Sequence, residues 1–342
     1  MRIAKIRPRS RLDNFVIFTG SARFTLWQLA LLGLANLLYY QEAPYGEVLL
    51  LTSLSLALVN LASAINTQTS LRRNKALLVF HVSLAAMVIL AGIGRLTYLK
   101  GRLELTQGTV FSGELLESEQ GLFHRNTLHK LRFENLGYRV NYRKGLKRNN
   151  TINEIAWMDR GEKRRVSEIG DQFPLILDGY RFYTSFNKGF SLVFTWQGTR
   201  GPVTGNVNLP SFPAREFEQA QYWQIPDTNK LIWSQLVPEK KIVTLEQAFE
   251  LGELEDHHIV MRFDDQRFEM QPGEEVKIEG GTLHYEGVRQ WMGYKVVYDW
   301  TRPWMIAACL IAIIAMMFYF ISKFRSSPLG IPDQPLLHRD TS

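Results

Sequence analysis

The sequence contains a single cysteine, Cys309, among 342 residues. A disulfide within the chain is therefore excluded, and any large folded region must be held together by packing and hydrogen bonds. The sequence also lacks a C-x-x-C-H motif, a Cys/His zinc spacing, a P-loop and a G-x-G-x-x-G fingerprint. These absences exclude a c-type cytochrome and leave no motif-based support for a zinc protein or a nucleotide-binding enzyme.

The formal net charge of +7 does not indicate a nucleic-acid partner, because the basic excess avoids the large polar part of the chain. Residues Lys100 to Asp299 contain 26 Lys and Arg against 28 Asp and Glu. A nucleic-acid-binding domain would carry its cations on a basic patch of its own. The surplus cations lie beside apolar runs instead: Arg2, Lys5, Arg7, Arg9, Arg11, Arg23, Arg72, Arg73, Lys75, Lys323 and Arg325.

Four apolar runs are long enough to cross a lipid bilayer, whose hydrocarbon core of ~30 Å needs ~20 residues at ~1.5 Å each. The first run is the shortest, and its apolar pattern extends back through Phe15–Phe18. About 200 mostly polar residues separate the third run from the fourth, enough for a folded region with its own core. The four runs are Phe24–Tyr40, Val48–Ile65, Ala76–Gly94 and Trp304–Ile321.

The distribution of Lys and Arg predicts the orientation of these runs. The short loop Gln41–Glu47 has neither residue, whereas the N-terminus, the 66–75 loop and the C-terminal end are basic. Basic loops remain on the cytoplasmic side of a membrane. We therefore expect both termini in the cytoplasm and the large polar region outside.

The predicted fold class is an integral membrane protein with four transmembrane helices, three N-terminal and one C-terminal. A large β-rich extracytoplasmic domain is inserted between the third and the fourth. The expected divisions are residues 1–98 for the cytoplasmic N-terminus and three helices, 99–301 for the β-rich domain and 302–325 for the fourth helix. Residues 326–342, with three prolines, are expected to form a disordered cytoplasmic tail.

Aromatic and β-branched runs indicate strands in the polar region. In Arg181–Trp196, the tripeptide Asn187-Lys188-Gly189 predicts a hairpin between two strands. Gly280-Gly281 predicts a second hairpin, and Gly287 and Gly293 predict turns or bulges within Leu283–Trp300. One helix is predicted in TLEQAFELGEL, residues 244–254, where Thr244 and Gln247 fit a capping box.

No catalytic constellation is evident outside the apolar runs. The histidines of the polar region are scattered among polar residues at 124, 129, 257, 258 and 284. His257 and His258 are adjacent, so on a strand they face opposite sides and would not chelate one ion together. We therefore predict no catalytic residue in this region.

His81 is an ionisable residue inside an otherwise apolar run, Ala76–Gly94. Such a residue is costly in a membrane and usually faces a bundle interior or a cavity. In the predicted topology His81 lies ~7–8 Å from the inner end of the third helix, at helical rise. Gln28 on the first helix and Asn60 on the second are predicted to share that depth.

Two interpretations of His81 follow from the residues alone. In the first, Asn60 and Gln28 bind the imidazole across helices and join them, at ~0.6–2 kcal/mol each. In the second, His81 is an axial ligand of a flat apolar cofactor such as haem, and one of the amides supports its other ring nitrogen. The second interpretation requires another axial ligand from a different subunit, since the apolar runs contain no second histidine.

The stretches at residues 78–114, 178–190 and 293–312 together resemble the ResB family, also called CcsB, of system II cytochrome c biogenesis proteins. LVFHVSLAAMVILAGIGRLTYLKGRLELTQGTVFSGE, residues 78–114, is similar to the third helix of that family, which a histidine opens and a G-x-(V/L)-x-L-x-(E/Q)-G strand follows. DGYRFYTSFNKGF (178–190) resembles its core strand pair, and GYKVVYDWTRPWMIAACLIA (293–312) its last junction. The order of helices and β-rich region also matches, over residues ~15–325. The turn here reads Asp-Trp-Thr-Arg-Pro where the family commonly has Asp-Pro-Gly.

The resemblance implies a subunit that works with a ResC/CcsA-type membrane partner. Together they would carry haem b across the membrane and attach it to apocytochrome c, in a bacterial cytoplasmic (inner) membrane or a thylakoid-type membrane. His81 matches the family histidine that helps ligate haem, and is thereby the predicted cofactor-binding and metal-ligating residue. The partner's tryptophan-rich motif is absent, since none of the eight tryptophans adjoins another. The chain would then be a non-catalytic or co-catalytic subunit.

Two alternatives remain. A membrane-anchored scaffold or assembly factor with a β-rich outer domain would bind no haem and would use His81 for packing. A sensor or transport accessory would bind a ligand outside and carry a cytoplasmic output module. The short basic loops on the cytoplasmic side favour the scaffold over the sensor.

Overall fold

The computed structural model describes residues 10–159, 161, 163–213, 218–226 and 228–326. The chain divides into two compact units, one formed by Met1–Leu96 with Trp300–Ser342 and the other by Thr97–Asp299. We call them the helical unit and the β unit. The basic residues before Ser10 and the predicted tail beyond Ser326 lie outside the described residues.

Apolar helices build the helical unit. Three of the described helices, α3, α5 and α6, are each long and apolar enough to cross a membrane. A fourth crossing results if α1 and α2 count as one span, bent by 60° at the break between them. The six helices are α1 (Arg11–Thr19), α2 (Ala22–Tyr40), α3 (Gly46–Thr67), α4 (Thr69–Arg73), α5 (Lys75–Thr97) and α6 (Arg302–Ser326).

Side chains of α3 satisfy the backbone at the break between α1 and α2. The Asn60 Nδ2 donates to the Thr19 carbonyl at 2.7 Å, and the Gln68 Nε2 donates to the Gly20 carbonyl at 3.1 Å. A Cβ at Gly20 would lie 2.8 Å from the Ser63 carbonyl carbon, so only glycine allows this close approach. In a membrane no water is available for carbonyls freed by a helix break. The amides of α3 therefore make the break tolerable there.

Small and polar residues line the face of α3 that packs against α1 and α2. Such residues let helix backbones approach closely where lipid supplies no hydrophobic force between helices. A second close contact occurs at the opposite end, where a Cβ on Gly46 would lie 3.0 Å from the Leu38 carbonyl oxygen. The buried residues of this face are Gly46, Leu50, Ser53, Ala57, Asn60, Ser63 and Ala64.

The β unit contains three antiparallel sheets around one hydrophobic core. The first has the order β2-β1-β15-β7-β6, with β14 and β8 pairing β15 and β7; the others run β13-β12-β10-β9 and β11-β3-β4-β5. The strands are β1 (Leu99–Thr106), β2 (Glu117–Gln120), β3 (Phe133–Arg143), β4 (Lys147–Met158), β5 (Arg164–Ile169), β6 (Leu175–Leu177), β7 (Tyr180–Gly198), β8 (Gly201–Asn208), β9 (Ala220–Gln224), β10 (Leu231–Pro238), β11 (Phe249–Leu251), β12 (His257–Phe263), β13 (Gln266–Met270), β14 (Glu275–Ile278) and β15 (Gly281–Tyr298). A short 3₁₀ helix spans Leu128–Lys130.

The chain enters and leaves the β unit on neighbouring strands. β1 pairs with β15 over its whole length, from Leu99 opposite Tyr298 to Thr106 opposite Trp291. β15 pairs on its other side with β7, the longest strand of the chain. β15 is therefore the central strand of the unit as well as its exit.

Three of the predicted turns and bulges in this region are confirmed and one is wrong. Gly280-Gly281 joins β14 to β15, a register shift at Gly287 marks a bulge in β15, and a second irregularity in the pairing of β15 with β7 lies at Gly293. The predicted hairpin at Asn187-Lys188-Gly189 does not form, because β7 runs unbroken from Tyr180 to Gly198. Its pairing with β15 continues on both sides of the tripeptide, so tertiary pairing overrides the local turn signal.

The predicted helix at 244–254 is also wrong. Residues Phe249–Leu251 form β11, which pairs with β3, and the Phe249 ring stacks on Tyr142 with centroids 5.0 Å apart. A helix of 11 residues is marginal in isolation, so its helical pattern cannot compete with these long-range contacts.

Buried amides connect two of the sheets at a bulge in β3. The Gln290 side chain accepts from the Tyr138 backbone N–H at 2.6 Å and donates to its carbonyl at 2.9 Å. The Asn153 Nδ2 donates to the Asn135 Oδ1 and the Gly137 carbonyl, and its Oδ1 accepts from the Tyr294 hydroxyl at 2.7 Å. Each of these buried polar groups has a partner, as a packed interior requires.

We expect Asn60→Leu to destabilise the helical unit, because the Thr19 carbonyl would lose its donor. The cost of losing one such interhelical bond is about 1–2 kcal/mol. Thermal unfolding in detergent would measure it. Asn36→Leu is the matched control, since the Asn36 Nδ2 donates only within its own helix, to Leu32 at 2.9 Å, and its side chain is exposed. Equal melting temperatures for the two variants would contradict a stabilising role of the Asn60 bond to the Thr19 carbonyl.

Candidate functional site

His81 lies in the first half of α5 with one ring nitrogen occupied. Its Nδ1 lies 2.8 Å from the Leu77 carbonyl, one turn earlier in the helix. A carbonyl only accepts, so Nδ1 is the donor in this bond, and in the neutral form of the ring Nε2 then carries the lone pair. The side chain is half-buried, and no partner for Nε2 is present among the described residues. This is the tautomer that a metal ligand bound through Nε2 requires.

The side-chain amides of Gln28 and Asn60 bond to residues other than His81. The Asn60 Nδ2 donates to the Thr19 carbonyl, and the Asn60 amide and the Thr25 hydroxyl lie within hydrogen-bond distance of each other, at 3.0 and 3.2 Å. The Gln28 Nε2 donates to the Ser53 carbonyl at 3.4 Å. The structure therefore brings both amides into the α1–α2–α3 contacts and neither into a bond with His81. Polar side chains at similar depth need not meet.

The face of α5 that carries His81 is half-buried. Residues Leu84, Ala85, Val88 and Gly92 share that face at helical spacing. A Cβ added at Gly92 would meet no atom within 4 Å. Within their apolar windows, 6% of α5 is buried against 33% of α3. Much of α5 is thus available for contacts that the chain itself does not supply.

Arg95 fixes the far end of the same helix. Its Nε lies 3.3 Å from the Glu47 Oε1 at the start of α3, and its guanidinium carbon lies 4.4 Å from the centroid of the Tyr39 ring. The Arg95 side chain is 12% exposed. A Cβ on the preceding Gly94 would lie 2.7 Å from the Thr301 hydroxyl, next to the start of α6. α5 is therefore anchored at its end near Thr97, some 20 Å from His81 at helical rise.

The other side of α5 forms a shallow apolar groove with α6. The groove has a volume of about 360 Å³ and is lined by Leu78, Val79, Val82, Ser83, Ala86, Ala308 and Ile311. His81 is not among these residues, since it lies on a different side of the helix. The groove therefore has no nitrogen ligand to offer.

The histidines of the β unit are engaged in structural contacts. The His257 Nε2 accepts from the Tyr285 hydroxyl at 2.9 Å, and burial lowers the pKa of His257. His258 bonds instead to Glu239 at 2.9 Å, so the two neighbours face apart as the strand pattern predicts. Among the described residues, no group of three or more His, Cys, Asp or Glu side chains could hold a metal ion.

Lys188 is a buried titratable residue that the sequence did not single out. Its side chain is 3% exposed, and its Nζ has one long bond, 3.4 Å to the Phe186 carbonyl. The Nζ also lies 5.6 Å from the centroid of the Tyr142 ring. Burial, and then the nearby Arg148, lower the pKa of Lys188 to about 8, against the opposing effect of Asp171. Burial likewise raises the pKa of Tyr142 to about 12.

The unbroken course of β7 explains why the sequence did not indicate a buried Lys188. In a hairpin its side chain would be exposed at a turn, whereas in a continuous strand it is buried between β7 and the sheet that contains β3. Arg148 repels the Lys188 ammonium, and the nearby carboxylate of Asp171 is bonded to Arg148 and to the Thr184 hydroxyl instead. No local signal in the sequence distinguishes the two cases.

No protein-family profile matches the chain, and a search of curated proteins finds no match either.

We expect Lys188→Met to stabilise the β unit at neutral pH. The folded protein holds Lys188 with a pKa of about 8, below the ordinary value of 10.5, so the unfolded chain binds the proton more strongly. Wild-type stability should therefore rise between pH 8 and pH 10.5, by about 3 kcal/mol at most for this shift. The melting temperatures of wild type and Lys188→Met should differ most at pH 7 and become similar at high pH.

The exposed Lys277 provides the control for this test. Lys277→Met should leave the pH dependence of the melting temperature unchanged. A difference in melting temperature between Lys188→Met and wild type that is the same at every pH would contradict the lowered pKa of Lys188.

Proposed function

We propose that this chain is a ResB-like subunit of a cytochrome c biogenesis complex, in which His81 helps to ligate haem b within the membrane. The observation that carries the proposal is the state of the His81 ring. Its Nδ1 bonds to the Leu77 carbonyl, and its Nε2 has no partner among the described residues, on a half-buried face of α5. An imidazole in this state is the form that binds iron.

The proposed topology has four crossings, formed by α1 with α2, by α3, by α5 and by α6. The described basic residues that flank these helices favour cytoplasmic termini: Arg11, Arg23, Arg72, Arg73, Lys75, Lys323 and Arg325. The loop between α2 and α3 has no Lys or Arg. The β unit then lies on the outer side, and His81 lies towards the cytoplasmic side, where haem is taken up.

The residues of α5 fit one face of a haem. His81 supplies a nitrogen, and the small Ala85, one turn further along the same face, would let a flat apolar group lie beside the imidazole. When bound, haem would supply the iron that the imidazole binds, and it would be the group finally attached to apocytochrome c. His81 would hold the iron, and the Leu77 carbonyl would orient the imidazole.

The second axial ligand is proposed to come from a ResC/CcsA-type partner. His81 is the one histidine within α1–α6. The surface of α5 is where such a partner would complete the site, since 6% of its apolar window is buried. Arg95 and Glu47 would hold the opposite end of α5 in place.

The β unit is proposed to meet apocytochrome c on its surface. One groove on it has a volume of about 770 Å³ and is open. Charged residues of both signs line the groove, including Lys100, Arg102, Glu104, Glu117 and Lys295. A polar, open surface suits a protein partner better than an apolar cofactor.

We expect His81→Ala to lower the haem that copurifies with the assembled complex, with little change in the amount of complex in the membrane. The Soret absorbance per unit of protein measures this. His129→Ala is the control, because His129 is exposed and bonds to the Asn126 carbonyl in the β unit. Free imidazole should restore part of the absorbance of His81→Ala by taking the vacated position. Unaltered absorbance would reject the ligand role.

The chain expressed without a partner should hold haem poorly, because one imidazole leaves an axial position open. Absorption spectra of the detergent-purified chain, alone and with its copurifying membrane partner, test this. A scaffold without haem predicts a stable complex with no Soret band in either preparation, and that result would favour the scaffold.

A further inference from the structure

A rigid turn in the β unit presents two large apolar side chains to solvent. The turn consists of Gly121, Leu122, Phe123 and His124, closed by a bond from the His124 N–H to the Gly121 carbonyl at 3.0 Å. Leu122 is 81% exposed and Phe123 is 67% exposed. Neither side chain is covered by the part of the chain that the structure describes, and we call this apolar turn the Leu-Phe tip.

The base of the Leu-Phe tip is firmly built. The His124 Nδ1 donates to the Thr97 carbonyl at 2.9 Å, and its Nε2 accepts from the Tyr180 hydroxyl at 2.8 Å. Tyr180 is fully buried, and the His124 ring also contacts Tyr298 at a centroid distance of 5.1 Å. The tip is therefore held in place by the core, and its exposure is not a result of a loose loop.

Chain connectivity places the tip at the end of a membrane-crossing helix. α5 ends at Thr97, and β1 begins at Leu99. Besides the bond to Thr97, the Gly121 N–H donates to the Tyr98 carbonyl at 2.9 Å. The tip is thus bonded to the two residues through which the chain leaves α5. A helix of this length and hydropathy ends at the surface of a bilayer.

Cations follow the tip along the chain. The segment GLFHRNTLHK, residues 121–130, contains Arg125 and Lys130 but no Asp or Glu, whereas Glu117 and Glu119 precede it on β2. Both cations are exposed. Apolar side chains flanked by cations are typical of protein segments that rest in the headgroup region of anionic membranes.

We propose that the Leu-Phe tip is an interfacial anchor that inserts into the headgroup region of the bilayer where α5 ends. Leu122 and Phe123 enter the boundary between headgroups and acyl chains, and Arg125 and Lys130 bind lipid phosphates. The anchor does not require haem or a ResC/CcsA-type partner, so it goes beyond the proposed function and stands independently of it.

Site-directed spin labelling tests this proposal in the full chain. Cys309→Ala removes the single native cysteine, and Leu122→Cys or Phe123→Cys then gives one labelled position. Two further positions in the same background provide references. Leu231→Cys marks an exposed apolar site on β10, and Ile313→Cys marks an exposed site within α6. Each protein is placed in nanodiscs of phosphatidylcholine and phosphatidylglycerol.

The measurement is the accessibility of each label to oxygen, which prefers lipid, relative to a water-soluble nickel chelate. We expect labels at 122 and 123 to favour oxygen, approaching the label at 313, while the label at 231 favours the chelate. Water-like values at both tip positions would overturn the proposal. Protection from the chelate only when a copurifying membrane protein is present would also overturn it, since the tip would then be a protein contact.

Discussion

The pairing of β1 with β15 is the constraint on which the rest of the chain depends. Leu99 lies opposite Tyr298, so a segment of about 200 residues begins and ends at one point of one sheet. The entropy lost in closing that loop is offset by the long ladders that β15 makes with β1 and β7. No disulfide assists, because Cys309 is the single cysteine. At the same point α5 ends and α6 begins, with Gly94 allowing close approach to Thr301.

Polar residues inside the helical unit have divided roles. Asn60 and Gln28 bond to the backbone and side chains of α1, α2 and α3, where a helix break leaves carbonyls without donors from their own helix. His81 takes its one bond from its own helix, which leaves the second ring nitrogen uncommitted. The amides of Asn60 and Gln28 thus have partners within the fold. The Nε2 of His81 has none among the described residues, and this difference makes His81 the functional candidate.

The β unit uses buried polar groups in two contrasting ways. The side chains of Gln290 and Asn153 are fully bonded and join separate sheets, so they contribute specificity as well as stability. Lys188 is buried with one long bond and a neighbouring Arg148, so its charge is a cost that the surrounding packing must outweigh. The unit tolerates this cost because its sheets share a large apolar core.

The sequence by itself determined the features that depend on composition and short period: the apolar helices, a β-rich region between them, the bulge at Gly287 and the irregularity at Gly293, and the isolated His81. These follow from hydrophobic length and alternation, which need no knowledge of distant residues. The tertiary structure alone decided that β7 runs through Asn187-Lys188-Gly189, that residues 249–251 form a strand, and that Asn60 serves the α1–α2 break. Each of these outcomes depends on residues far away in the sequence. Strand pairing and burial with those residues outweigh local propensity, and a short sequence pattern contains no information about them.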